Sequence, residues 1–97
     1  MLQNFTATST ANNAVTIIPA QSNELLLLSL YLNGGANGGD VTVTYPNGFT
    51  AGFSIVAEDT ILLDTPVAIP AGKTLAFTAT AAGIKAMASA TLSLADV

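Results

Sequence analysis

The chain has 97 residues and a formal net charge of −4, and only 8% of its residues are charged. It contains no His, Cys or Trp, and its basic residues are two lysines, Lys73 and Lys85. The usual general base, thiol nucleophile and soft-metal ligands are therefore absent, and no basic stripe is available for nucleic acid or an anionic membrane surface. The composition predicts one domain that is not an enzyme, needs no cofactor and acts through its surfaces.

The N-terminal segment, residues 1–13, is rich in Thr, Asn and Ala, with Leu2 and Phe5 as its apolar anchors. Such a segment is either an edge strand at a frayed end or an arm that docks Leu2 and Phe5 onto a neighbouring subunit. We therefore divide the chain into an arm or edge strand at 1–13 and a β-sandwich domain at 14–97. No basic stretch precedes an apolar one here, so no signal peptide is expected.

Two strands are predicted next, at residues 14–18 and 24–32. In the second, the even-numbered leucines from Leu26 to Leu32 form one apolar face, while Leu25, Leu27 and Tyr31 form another that is nearly apolar. One face of a strand in a small sandwich should meet water. We therefore expect this second face to be covered, either by another segment of the chain or by a neighbouring subunit. The second alternative makes Leu25, Leu27 and Tyr31 candidate interface residues.

A glycine-rich segment, residues 33–39, follows and lacks the spacing of a dinucleotide-binding loop. We expect a flexible hairpin connection here, with a partner-contact role for Gly34 to Gly39 as the alternative. Alternation at 41–45 predicts a strand, and Pro46-Asn47-Gly48 predicts a tight turn after it. Further strands are predicted at 53–57 and 60–63.

Three acidic residues lie near these strands, Glu58, Asp59 and Asp64. Several oxygens together suit a hard cation such as Ca²⁺, but the spacing does not match an EF-hand. Charges beside a hairpin more often face water or protect a sheet edge. We predict no metal site, and leave a cation at these three carboxylates as the alternative.

The last two predicted strands show the clearest alternation, at residues 73–80 and 84–94. Leu75, Phe77 and Ala79 define the inner face of the first, and the even-numbered residues define that of the second, with Met87 as the exception on its polar side. No segment has the capped 3.6-residue period of a helix. About eight short strands separated by turns predict an all-β fold, a single antiparallel β-sandwich or jelly-roll-like domain.

Two stretches of the chain resemble a known group of proteins. The first contains NELLLLSLYLN at 23–33, the glycine-rich segment and DVTVTY at 40–45; the second contains IPAGKTL at 69–75 and AAGIKAMASATL at 81–92. In residue composition and in the order of their elements, these stretches resemble the small all-β virion proteins of tailed bacteriophages. That group includes head decoration (cement) proteins and tail or neck accessory proteins. The resemblance covers roughly residues 15–92.

The resemblance implies a β-sandwich, made in the host cytoplasm, that assembles on the capsid surface, often as a trimer. The preferred hypothesis is a capsid decoration protein that binds the major capsid protein and stabilises the shell. Its copies would contact one another through Leu25, Leu27 and Tyr31, and grip the shell with Leu2 and Phe5. A tail, neck or fibre accessory protein is the first alternative, and a receptor- or carbohydrate-binding β-sandwich module is the second.

Overall fold

The computed structural model describes residues 2–64 and 66–93, and this part of the chain contains strands and turns but no helix. Nine strands occur in order: β1 (Gln3–Thr8), β2 (Ala14–Ile18), β3 (Leu25–Asn33), β4 (Gly39–Thr44), β5 (Thr50–Ile55), β6 (Thr60–Leu63), β7 (Val67–Ile69), β8 (Leu75–Ala79) and β9 (Lys85–Leu92). They form two antiparallel sheets. The larger has the order β1-β9-β3-β6, with β7 also paired to β3, and the smaller has the order β2-β8-β4-β5.

The strand pairing describes one long antiparallel ribbon that has been rolled up. Along this ribbon β1 pairs with β9, β2 with β8, β3 with β6 and β7, and β4 with β5. Rolling then adds the pairs β3–β9 and β4–β8, which close the two sheets. Pairing of this nested kind across two sheets is the topology of a jelly roll. The predicted all-β sandwich is therefore confirmed.

Alternating side chains from both sheets form a single core. The inner faces of β8 and β9 are as predicted up to Ala90: Phe77 and Leu75 are fully buried, and so are Ala88 and Ala90, whereas Leu92 at the end of β9 is 37% exposed. The small alanines of β9 belong to the same core cluster as the larger side chains Phe77 and Val43 of the smaller sheet. Leu94, which was expected to continue β9, lies outside the described residues.

Within the N-terminal segment, Gln3–Thr8 forms β1, an edge strand of the larger sheet. β1 pairs with β9 over six residues, from Gln3 opposite Ala90 to Thr8 opposite Lys85. Residues 3–8 thus belong to the chain's own sheet, and docking of Leu2 and Phe5 onto a neighbouring subunit stays a prediction. β7 was not predicted, because three residues between Pro66 and Pro70 are too few to show a period of two.

The predicted turn between β4 and β5 forms the tip of the ribbon. The Gly48 N–H donates to the Tyr45 carbonyl at 3.0 Å, and the Tyr45 N–H donates to the Phe49 carbonyl at 2.9 Å. Gly48 has φ +90°, the left-handed conformation that makes glycine suitable here. Burial raises the pKa of the Tyr45 phenol above its ordinary value, because desolvation disfavours the phenolate.

The glycine-rich segment at the other end is not the flexible hairpin connection that we expected. It crosses from β3 in the larger sheet to β4 in the smaller one. The Gly34 N–H donates to the Asp59 carbonyl at 2.9 Å, and the Gly35 carbonyl accepts from the Glu58 N–H at 2.8 Å. A Cβ on Gly34 would collide with the Val56 carbonyl oxygen. The glycines therefore allow close packing of this crossing against the β5–β6 turn.

A buried serine joins the β1–β2 connection to the β8–β9 turn. Ser9 is 3% exposed. Its hydroxyl donates to the Ala81 carbonyl at 2.7 Å and accepts from the Ile84 N–H at 2.9 Å. Backbone bonds from Ser9 N–H to Ile84 and from Gly83 N–H to Ser9 complete the junction.

Replacing Ser9 with Ala is expected to lower the free energy of unfolding by about 1–3 kcal/mol, because the buried Ile84 N–H loses its side-chain acceptor. Urea unfolding followed by circular dichroism measures the change. Ser54→Ala is the matched control, since the Ser54 hydroxyl bonds an exposed carboxylate, Asp40 Oδ1, and should change stability by less than about 0.5 kcal/mol. Equal losses in the two variants would contradict the buried role of Ser9.

Candidate interaction surface

A β-bulge in β3 determines which leucines face outward. The pairing of β3 with β9 is regular up to Leu27 and resumes at Ser29, so Leu28 is an extra residue opposite β9. A bulge places two successive residues against one on the partner strand and changes the phase of the alternation. Leu25 and Leu27 therefore face the core before the bulge, and Leu30 and Leu32 face it afterwards.

The outer face of the larger sheet carries a band of apolar side chains. Tyr31 lies at its centre, opposite Met87 of β9 on one side and Leu62 of β6 on the other. The exposed fractions are 38% for Tyr31, 37% for Met87 and 49% for Leu62, and Leu28 adds 36% at the bulge. Directly opposed side chains on one face are in contact distance. We name Leu28, Tyr31, Leu62 and Met87 the apolar band.

Polar residues border the apolar band on two sides. On one side the Ser89 hydroxyl donates to Asn4 Oδ1 at 2.7 Å, and on the other Asn33 Nδ2 donates to Thr60 Oγ1 at 3.0 Å. Lys85 lies opposite Asn33 and supplies a positive charge to this border. An apolar centre with a polar rim is the usual anatomy of a protein–protein contact surface.

A shallow depression of about 360 Å³ lies between the apolar band and β1. Its polar lining comes from Thr6, Thr8, Asn33 and Lys85, and its apolar lining includes Tyr31 and Met87. The Asn33 amide is already engaged there, because its Oδ1 accepts from the Gly35 N–H at 2.9 Å while its Nδ2 bonds Thr60. Because Tyr31 and Met87 of the apolar band line the depression together with Thr6 and Thr8 of β1, it extends the band toward the sheet edge.

The outer face of the smaller sheet has a different character. Its outward positions are occupied by small hydroxyl-bearing, alanine and glycine residues together with Asp40. The exposed members of this face include Thr16, Thr42, Thr44, Thr50 and Ser54. Such a face is well hydrated and offers little apolar area to a partner. The outer face of the larger sheet thus has an apolar centre, whereas the outer face of the smaller sheet is polar.

Two of the predicted interface residues lie elsewhere. Leu25 and Leu27 are 1% and 2% exposed in the core of their own chain, so their assignment to an outer face is corrected. The error came from assuming unbroken alternation through β3, which the bulge interrupts. Tyr31 does lie on the outer face, within the apolar band.

The other two predicted interface residues lie in and beside β1. Phe5 is partly buried against the core, opposite Ala88. Leu2 is 59% exposed, next to the start of the edge strand. Phe5 therefore contributes mainly to the core of its own chain, whereas Leu2 lies on the surface.

The three acidic residues are not brought together. Glu58 and Asp59 lie in the turn before β6, whereas Asp64 follows the far end of that strand. Asp59 Oδ1 accepts from the Thr60 N–H at 3.0 Å, a local turn contact. Within residues 2–64 and 66–93, no group of three carboxylate-type ligands is arranged to hold a metal ion.

Sequence reasoning missed Leu28, Leu62 and Met87. The signal for Met87 was present, because it interrupts the polar side of the alternation in β9. Leu62 gave no signal, since it is one of three consecutive apolar residues whose order does not reveal which one faces outward. Phe49 and Val56 are more exposed, at 72% and 71%, but they stand singly in turns at opposite ends of the molecule. Single exposed apolar side chains of this kind are common on protein surfaces.

Comparison with known proteins gives no further assignment: no family model and no curated sequence matches the chain. Among the residues that the structure describes, none belongs to a helix long and apolar enough to cross a membrane.

Proposed function

We propose that this chain is a structural protein of a virion, most specifically a capsid decoration protein that binds the outer surface of the head and stabilises the shell. The observation that carries the proposal is the apolar band on one face of the jelly roll, opposite a hydroxyl-rich face. The jelly roll is an architecture that viral capsid domains use. The resemblance of residues 15–92 to small virion proteins supports the same class.

The apolar band gives the proposed contact its energy. Each of its side chains is between about one third and one half exposed. Complete burial of a large apolar side chain contributes about 1.5–3 kcal/mol, so the remaining exposure is worth about 1 kcal/mol for each residue. The sum of about 4 kcal/mol does not exceed the cost of immobilising a free protein. One copy alone therefore binds weakly.

Repetition makes such a contact effective on a shell. Copies that bind neighbouring capsid subunits, and one another, raise the effective concentration of every further contact. The proposed mechanism is a bridge between adjacent shell subunits, which resists their separation when packaged DNA presses outward. Its partners are the major capsid protein and other copies of the chain, its place is the capsid surface, and it is made in the host cytoplasm. It involves no catalytic step.

A tail, neck or fibre accessory protein is the second candidate, because the same apolar band would serve at any virion surface. A carbohydrate-binding module has less support. Sugar recognition calls for an aromatic platform with unengaged polar groups. The depression beside the band offers Tyr31 as its aromatic ring, and the nearby Asn33 amide is already bonded at both ends.

The test is co-sedimentation of purified protein with capsids that lack decoration. We expect the wild-type protein to pellet with capsids and saturate them, and Tyr31→Asp to bind at least tenfold more weakly, because it puts a charge at the centre of the band. Thr42→Asp, on the outer face of the smaller sheet, is the control and should bind as the wild type does. Circular dichroism verifies that both variants fold.

Isolated tails provide the second arm of the same experiment. Binding to tails and not to capsids would replace the decoration role by the accessory role. Failure of the wild-type protein to pellet with either would overturn the proposal, and equal binding by Tyr31→Asp and wild type would exclude the apolar band as the contact.

A further inference from the structure

The edges of the two sheets are unequally protected against pairing with another strand. The edge at β2 carries a bulge between Thr16 and Ile18 and ends at Pro19. The opposite edge of the larger sheet is divided into β6 and β7, with Asp64 and Pro66 between them. Bulges, prolines, charges and short strands are the usual devices that prevent edge pairing. The other edge of the smaller sheet is β5, which contains Gly52, and glycine weakens the interior of a strand.

β1 has none of these devices. It pairs with β9 in unbroken register over six residues, and its sequence, QNFTAT, contains no charge, proline or glycine. Among the described strands β9 is its one partner, so within residues 2–64 and 66–93 no strand lies along its second edge. β1 therefore presents the most regular open edge of the sandwich.

The charges of the protein favour approach at the same edge. With a net charge of −4, two copies repel one another. Of the described acidic residues, Asp40 is in β4 and Glu58, Asp59 and Asp64 flank β6, whereas Glu24 lies beside the end of β9, where its carbonyl accepts from the Ser93 N–H at 3.0 Å. β1 itself carries no charge, and the β1–β9 ribbon carries Lys85, opposite Thr8. Like-charge repulsion is therefore small along the open edge.

We propose that a second copy of this chain pairs with β1 through its own β1, antiparallel and about a two-fold axis, so that the two larger sheets become one continuous sheet. Such a contact is self-complementary, because each copy offers the same row of backbone donors and acceptors.

The burial pattern fixes the register of this pair. Asn4, Thr6 and Thr8 face outward, whereas Gln3, Phe5 and Ala7 face the core side. Opposed residues must share a face, so an outward residue pairs with an outward residue of the second copy. The register that uses the whole strand sets Phe5 opposite Phe5 of the second copy and Asn4 opposite its Thr6. It also brings the exposed Leu2 opposite Thr8 of the second copy.

The size of the contact sets its strength. Residues 2–8 span about 23 Å at about 3.3 Å for each residue, and an edge is about 10 Å deep. The contact thus covers a few hundred Å² on each copy, compared with about 800 Å² in a standard stable interface. The pair is therefore a weak dimer in solution, which becomes persistent where copies are held side by side.

Sedimentation velocity between 10 μM and 1 mM tests the proposal on the full chain. We expect a monomer–dimer equilibrium in the wild type, and at least tenfold weaker association for Thr6→Lys and for Asn4→Asp, because charges protect a strand edge. Asn4→Asp retains the oxygen that accepts the Ser89 hydroxyl. Mixing the two variants should restore dimers, because the introduced carboxylate of one variant then faces the introduced ammonium group of the other. Thr50→Lys, at the edge strand β5, is the control and should associate like the wild type.

Several results would overturn the inference. These are a wild-type monomer at 1 mM, a dimer or trimer unaffected by Thr6→Lys, or loss of association in Thr50→Lys. Failure of the mixed variants to dimerise would overturn the register. The pairing does not depend on the proposed shell contact, since Tyr31→Asp leaves β1 unchanged and should still dimerise. Failure of capsid binding and failure of self-association are therefore distinguishable.

Discussion

Replacement of Leu27 with Asp is expected to unfold the protein. Leu27 is 2% exposed, opposite Ala90 in the centre of the larger sheet. Removal of a buried leucine costs about 2–5 kcal/mol, and an unpaired buried carboxylate adds several more. A domain of this size has a total stability of about 5–15 kcal/mol. Circular dichroism and urea unfolding should show loss of most of the sheet signal, or a midpoint close to zero denaturant.

The adjacent residue provides the matched control. Leu28 is 36% exposed at the bulge, so Leu28→Asp replaces an outward side chain and should cost no more than about 1 kcal/mol. The same substitution at two successive positions thus tests which of the two leucines faces the core. Comparable destabilisation at both would show that Leu28 is not an outward residue. Folded, soluble Leu27→Asp protein would return Leu27 to the outer face.

Gly34→Ala is expected to have the second largest effect. The added Cβ would overlap the Val56 carbonyl oxygen and lie 3.0 Å from Ile55 Cγ2. Backbone must move to make room, which would disturb the bond from the Gly34 N–H to Asp59. Overpacking of this kind costs about 1–3 kcal/mol. We expect a loss near the upper end of that range, seen as a melting temperature lower by about 10–20 °C.

Gly52→Ala is the control for the glycine effect. Gly52 lies in β5, and its nearest neighbour to an added Cβ is the Val41 carbonyl oxygen at 4.0 Å. Alanine should stabilise the protein here by about 0.5–1 kcal/mol, because glycine in a strand loses more backbone entropy on folding. Opposite signs at the two positions would establish that Gly34 is required by contact. A neutral Gly34→Ala would show that the glycine-rich crossing is loosely packed.

The strands with strict alternation could be predicted from the sequence. In β8 and β9 each inner residue is apolar and most outer residues are polar, so that the period of two identifies both the strand and its buried face. β3 could be located as a short run of apolar residues, but its two faces could not be assigned. When both faces are apolar, no residue type marks the position where a bulge changes the phase.

The glycine-rich segment could not be understood locally. Its composition is that of a flexible loop, and the neighbours that require glycine, Val56 and Gly83, are distant in sequence. Whether glycine gives freedom or close approach depends on the tertiary fold. The apolar band could not be predicted for the same reason. Its residues Tyr31, Leu62 and Met87 come from three strands, and the sequence does not state the order of these strands in the sheet.

The nested ribbon has a consequence for the way the chain reaches this structure. β9 is made after the other eight strands, yet it lies between β1 and β3 in the larger sheet. Gln3 pairs with Ala90, so most of the chain lies inside the loop that this pair closes. Contacts of such long sequence separation make folding slow, in the range of milliseconds to seconds. Until β9 is available, β1 has no partner strand and β3 lacks one of its neighbours, so the larger sheet cannot close before β9 joins it.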